Sequence, residues 1–203
     1  MKTNILVFFA VLYLLTACAT NNSQPINTYS IASSSFQSTA QQQPEQKGAL
    51  IIKLAPLRSM PSLSGTSIQY SDSQHGHNSY AYSRWSDAPV KMLQVLFQQT
   101  LERTGQFAAV VSPTSALRED WLLEGTLYDF SHHLHKDGTS SGVIKVRFYL
   151  VDKTTKIVIA TKELHAQEPA TSQNAKAAVA GLSRAALAIS HDLAQWLSER
   201  ACL

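Results

Sequence analysis

Val143-Ile144-Lys145-Val146-Arg147-Phe148-Tyr149-Leu150-Val151 sets Ile144, Val146, Phe148 and Leu150 in alternation with Lys145, Arg147 and Tyr149. Successive side chains of a strand point to opposite faces, so this period of two predicts a strand buried on one side and wet on the other. Strands are predicted on both sides of it, Trp121 to Phe130 and Ile157 to His165. The connections Lys136-Asp137-Gly138 and Asp152-Lys153-Thr154-Thr155 are short, polar and rich in turn formers. Three strands so joined predict an antiparallel meander, since parallel neighbours need a long crossover.

Toward the C-terminus, a helix is predicted from about Asn174 to Glu199. Val179, Leu182, Ala186, Ile189, Leu193 and Trp196 follow one another at intervals of three or four and form one apolar stripe. Such a stripe either packs on the sheet or meets a partner helix in a coiled coil. The stripe covers only about two and a half heptads, which favours the sheet.

Toward the N-terminus, Phe107 to Val111 reads as a short strand closed by Pro113. Before it, Val90, Leu93, Leu96, Phe97 and Leu101 recur at helical spacing. Pro89 suits the first turn of that helix, Ser86 or Asp87 can cap it, and Gly105 ends it. Ser67 to Tyr70 and Ser79 to Trp85 form a hairpin around the loop Ser71 to Asn78, and Leu50 to Leu54 is a buried strand stopped by Pro56. These elements predict an α+β fold, a mostly antiparallel sheet with two main helices packed on one face.

The chain has 203 residues, 44% hydrophobic and 15% charged, enough for one packed domain. A net charge of +3 with no Lys/Arg run of five argues against nucleic acid as a partner. Two cysteines, Cys18 and Cys202, exclude a disulfide scaffold and an all-cysteine zinc site.

The N-terminus sets the compartment. Lys2 precedes the apolar run Ile5 to Leu15, about 17 Å long as a helix and too short for a ~30 Å hydrocarbon core. It reads as a signal-peptide core within residues 1–17. Leu15-Thr16-Ala17-Cys18 resembles a bacterial lipobox, in which the cysteine is acylated and becomes the new N-terminus. Cys18 is therefore the expected lipidation site, with diacylglycerol on sulfur and a further acyl chain such as palmitate on nitrogen. Several acyl chains anchor stably where one alone would exchange. Ala19 replaces the aspartate that usually retains such proteins at the inner membrane, so the resemblance implies an outer-membrane anchor facing the periplasm. In that oxidising compartment Cys202 is read as a terminal thiol without an internal partner, the alternative being an intermolecular disulfide.

Residues 18–47 form a polar tether ahead of a domain spanning 48–203. From Ala19 to Gly48, 18 of 30 residues are Ser, Thr, Asn or Gln, too polar to offset ordering entropy by burial. As a coil it would reach ~30 Å. Ile26, Tyr29, Ile31 and Phe36 interrupt it, so 27–33 is a candidate extra strand of the domain.

Catalytic patterns are missing from the sequence. There is no G-x-S-x-G and no glycine-rich phosphate loop, so the chain is read as no enzyme, without cofactor. His132, His133 and His135, with His75 and His77 in another loop, are the one cluster with metal-ligating chemistry. Their spacing lacks an accompanying Cys, Glu or Asp, and they are read as solvated rather than as a metal site.

Lipobox, polar tract, the island Tyr29-Ser30-Ile31 and the Leu50-to-Pro56 strand together form a recognisable opening. The hairpin Ile68-Gln69-Tyr70 … Tyr80-Ala81-Tyr82-Ser83-Arg84-Trp85-Ser86-Asp87-Ala88-Pro89 is its most telling continuation. A helix, a three-strand meander and an alanine-rich C-terminal helix follow. The chain thus resembles the ABC-type transport auxiliary lipoprotein family, which includes lipoproteins of the PqiC type. The resemblance implies an MCE-domain protein and an ABC transporter permease/ATPase system as partners in moving lipid between the membranes; a homo-oligomer is a separate expectation, left open by the sequence. The Ser/Gln-rich insertion from about Ser33 to Gln46 departs from that pattern. A structural lipoprotein for lipopolysaccharide or outer-membrane protein insertion is the alternative. On the hairpin strand, alternation puts Tyr80, Tyr82 and Arg84 on one face, a combination enriched at interaction hot spots. These three are the candidate partner interface; the plainer alternative is that they cover the sheet.

Overall fold

The computed structural model describes residues 24–31, 48–72 and 76–201. The signal peptide, Cys18, most of the tether, His75 and Cys202 lie outside the described residues.

Among the described residues the architecture is α+β, nine strands in one mixed sheet under two helices. The meander is its spine: β7 (Trp121–Leu134), β8 (Ser140–Asp152) and β9 (Val158–Ala170). All three run longer than the alternation alone suggested. The β7–β8 ladder is antiparallel from Trp121↔Asp152 to Leu134↔Ser140, and β9 continues it from Val151↔Val158 to Ser140↔Ala170. Gly138 takes φ +83° in the first turn, where a side chain would be strained. In the second, Asp152 Oδ1 accepts the backbone N–H of Thr154 and Thr155 at 2.9 and 2.7 Å. That arrangement explains the Asp at the start of the turn.

The other edge of β7 is a patchwork. β2 (Ile51–Leu54), β3 (Arg58–Ser59) and β4 (Ser67–Ser71) pair with β7 in succession, all parallel, at Trp121–Leu123, Thr126–Leu127 and His132–His133. Pro56 and Pro61 lie between them. A proline has no N–H for the ladder, so one strand is cut into three. β6 (Ala109–Val111) adds to β2, while β5 (His77–Trp85) pairs antiparallel with β4 and β1 (Asn27–Tyr29) pairs parallel with β5. The long ladders are antiparallel and the short joins parallel.

Both helices cover the face of β8 that carries Gly142, Ile144, Val146 and Phe148. In α1 (Pro89–Thr104), Leu93, Leu96, Phe97 and Leu101 are buried, and Phe97 meets Phe148 edge-on at 5.6 Å. Gly105 ends α1 in the left-handed region at φ 64°. At its start the expected cap shifts by a residue: Ala88 occupies the N-cap position, and Asp87 Oδ1 accepts the N–H of Ala88 at 2.7 Å. Asp87 also meets Lys91 Nζ at 3.2 Å, and the N-cap position itself has no side-chain cap bond. α2 (Ala175–Ala201) buries Leu182, Ala186, Ile189, Leu193 and Trp196 against β7, β8, β9 and α1, so its stripe is core. Asn174 Oδ1 caps it through Ala177 N–H at 2.9 Å. Gly181 faces Gly142, where an added Cβ would stand 2.4 Å from the Leu182 backbone nitrogen. Two facing glycines let the helix lie on the strand at backbone distance.

The opposite face of β8 carries Lys145 and Arg147, which both reach Glu163 on β9, at 3.1 and 2.5 Å. Among the described residues, no helix is long and apolar enough to cross a membrane.

Candidate functional site

The hairpin β4–β5 holds the residues singled out from sequence. Its turn is closed by Asp72 N–H to Gly76 O at 3.0 Å and by Gly76 N–H to Asp72 Oδ1 at 2.8 Å. Its two arms are not in simple register. Gln69 faces Ser79, but two residues back Ser67 faces Arg84, so β5 carries several residues more than β4 between those pairs. An irregularity of this kind re-aims side chains that an unbroken strand would align.

Tyr80 turns into the packing. Its ring lies 4.9 Å from that of Tyr70, and its hydroxyl is 2.7 Å from Nδ1 of His132 on β7. Tyr82 is 52% exposed and Arg84 is exposed beside it, flanked by β1 through the pair Thr28↔Arg84. Trp85 is buried, meeting Phe130 at 5.4 Å. The structure therefore leaves Tyr82 and Arg84 at the surface and sets Tyr80 behind them, half-buried.

His132 is wholly buried. Burial, with His133 and His135 nearby, pushes its pKa down to about 4. Burial, then Tyr70, pushes that of Tyr80 up to about 12. Near neutral pH the pair is uncharged, and the imidazole tautomer decides which atom donates. Nε2 of His132 has no partner among the described residues. The arrangement is a polar tie between β5 and β7 and presents no reacting group to solvent.

Two neighbours of His132 on the same strand and turn have polar partners. His133 Nε2 meets Asp129 Oδ2 at 2.9 Å, and His135 Nε2 meets Ser141 Oγ at 3.1 Å. With His77 they border a concavity of about 430 Å³ that also takes in Ser71, Asp72 and Lys136. Among the described residues no three His, Cys, Asp or Glu side chains are placed to hold a metal ion.

The Tyr80–His132 pair escaped the sequence reading because the phase of β7 changes. Leu127 pairs with Val146 but Asp129 pairs with Lys145, leaving Tyr128 as an extra residue. After this bulge the inward positions are Phe130 and His132 instead of the odd-numbered ones. The signal was present: an apolar residue at 130 is out of step with Trp121, Leu123 and Leu127.

A family model, ABC-type transport auxiliary lipoprotein component, matches residues 29–194, from β1 through most of α2. The chain belongs to this family. The family's description is that of a lipoprotein and of a transport auxiliary component, and so of a membrane-anchored helper of an ABC transport system. Among solved structures, protein XCC0632 from Xanthomonas campestris is similar at 18% identity, over 75% of this chain and 85% of that one, with a TM-score of 0.70. An uncharacterised protein is similar at 17% identity, over 86% of this chain and all of that one, with a TM-score of 0.63. The hypothetical protein CT253 from Chlamydia trachomatis follows at 10% identity, over 75% and 97%, with a TM-score of 0.51. At such identities the likeness is one of fold. No curated protein matches the sequence significantly.

Proposed function

We propose that this chain is an outer-membrane-anchored, periplasm-facing accessory lipoprotein of an ABC/MCE-type envelope lipid-transport system, without catalysis of its own. The observation that carries this reading is the family match over residues 29–194. The lipobox ending at Cys18 supports the anchor, and Ala19 supports the outer membrane as its destination. Tyr82 and Arg84, exposed on β5 and backed by Tyr80, are the surface offered to a partner. Aromatic and guanidinium groups bury large area at small entropic cost, which suits docking.

The test is affinity purification of the tagged chain from native envelopes. An MCE-domain protein and the permease/ATPase pair should copurify, and Cys18→Ala should leave the protein unprocessed or released. Arg84→Glu should weaken the association while the isolated domain melts as wild type. Recovery of lipopolysaccharide- or outer-membrane-protein-insertion machinery instead would move the chain to that class. A variant that unfolds, or that associates at wild-type affinity, would make the hairpin scaffold.

A further inference from the structure

Parallel pairing of β1 to β5 has a consequence for how far the domain can stand from a membrane. Asn27, Thr28 and Tyr29 lie in register with Ser83, Arg84 and Trp85, and Ser86 N–H donates to Tyr29 O at 2.6 Å. Tyr29 packs against the core and Ile31 is buried. The tether is thus caught nine residues after Cys18, instead of running free to Gly48. Nine residues span at most about 30 Å, thirty about 100 Å.

The pairing also fixes direction. β1 runs with β5, against β4, and therefore against β7. Its N-terminal end points toward the β7–β8 turn at Lys136–Gly138, away from the β8–β9 turn at Lys153–Lys156. We infer that β1 acts as a clamp that shortens the leash, holding the domain close to the bilayer that carries the Cys18 anchor, with the Lys136 end facing that bilayer. This rests on the lipid anchor proposed above. The far end bears exposed Leu117, Ile157, Val158 and Ile159. Leu117 belongs to it because Lys53, bonded to the Leu117 carbonyl, sits opposite the start of β7. That aliphatic cluster is then held clear of the anchoring membrane and open to the compartment.

The full lipidated chain, with Cys202→Ser, would be reconstituted in phosphatidylethanolamine/phosphatidylglycerol vesicles containing a lipid-linked energy-transfer acceptor. Donor dyes would be placed on Lys136→Cys or on Thr154→Cys, both exposed sites at opposite ends of the sheet. The Lys136 site should be quenched more strongly than the Thr154 site. Twenty Gly/Ser residues inserted between Asn21 and Asn22 should abolish that difference with the fold intact. Replacing both Thr28 and Tyr29 by proline should do the same, because one of two consecutive N–H groups of a strand must point at β5. Equal quenching in membrane-bound protein, or a difference that survives the insertion, would overturn the clamp alone. Protein that fails to stay with the vesicles would overturn the anchor, and the clamp with it.

Discussion

The two edges of β7 are built on different principles. On one side β8 accompanies it from Trp121 to Leu134, interrupted only by the bulge at Tyr128. On the other side three short parallel strands take turns, with prolines between them. The regular edge draws its strength from the face beneath it, where α2 rests on β8 and β9. The patchwork edge also feeds the core, through Ile52, Leu54, Ile68 and Trp85, and adds isolated polar ties, such as Tyr80 to His132 at 2.7 Å and Ile51 N–H to Asp120 Oδ2 at 2.7 Å. Substitutions on the first should therefore act through packing, and on the second through particular polar groups as well as packing.

A large effect is expected where the regular edge meets its helix. Gly142→Ala would put a methyl 2.4 Å from the backbone nitrogen of Leu182, and neither strand nor helix can yield locally. Chemical denaturation should show a loss of about 3 kcal/mol, the upper part of the usual overpacking range. Gly65→Ala, on the patchwork side, meets nothing within 4 Å and should change stability by less than about 0.5 kcal/mol. Equal effects at the two glycines would mean that α2 does not rest on β8 at backbone distance.

On the patchwork side, His132 makes the comparison depend on pH. Its pKa falls from 6.5 to about 4 in the folded protein, so between those values only the unfolded chain binds its proton. Stability is then full above about 6.5 and declines as pH drops to about 4, by on the order of 3 kcal/mol for this group. Below that window both states are protonated and the contribution is flat. Replacing His132→Gln should flatten the decline in melting temperature across the same range. A His132 imidazole resonance titrating near 6.5 in the folded protein would show that the ring is hydrated and the tie weak.

The same contrast explains what could be read from the chain. The meander and the two helices follow strict periods, so the alternation at 144, 146, 148 and 150 and the stripe of α2 announced them. The sequence predicts the helix-start cap at Ser86 or Asp87, a residue or two before Ala88, because several polar residues precede Pro89 and only three-dimensional geometry chooses among them. The patchwork was less legible. A two-residue strand such as Arg58–Ser59 has no period, and its partner lies 68 residues away. Parallel joins leave no turn signal either. At the candidate interface, alternation aligned Tyr80 with Tyr82 and Arg84, but the irregular β4–β5 register, invisible in sequence, set Tyr80 inward.

A small effect separates residue count from residue identity at the bulge that lies between the two edges' pairings. Tyr128 is the extra residue of β7, and its presence shifts Phe130 and His132 into the inward phase. Its side chain does little more than lie 38% exposed with the Arg147 guanidinium carbon 5.9 Å from the ring centroid. Arg147 already holds Glu163 at 2.5 Å and would keep that partner if the ring were gone. Tyr128→Ala keeps the residue count, so the phase of β7 and the Tyr80–His132 contact should persist. The expected cost is about 0.5–1 kcal/mol, the value of an exposed cation–π contact. A much larger loss, or a His132 titration moved back toward 6.5, would mean that the tyrosine ring itself sets the bulge and that the patchwork edge hangs on one side chain.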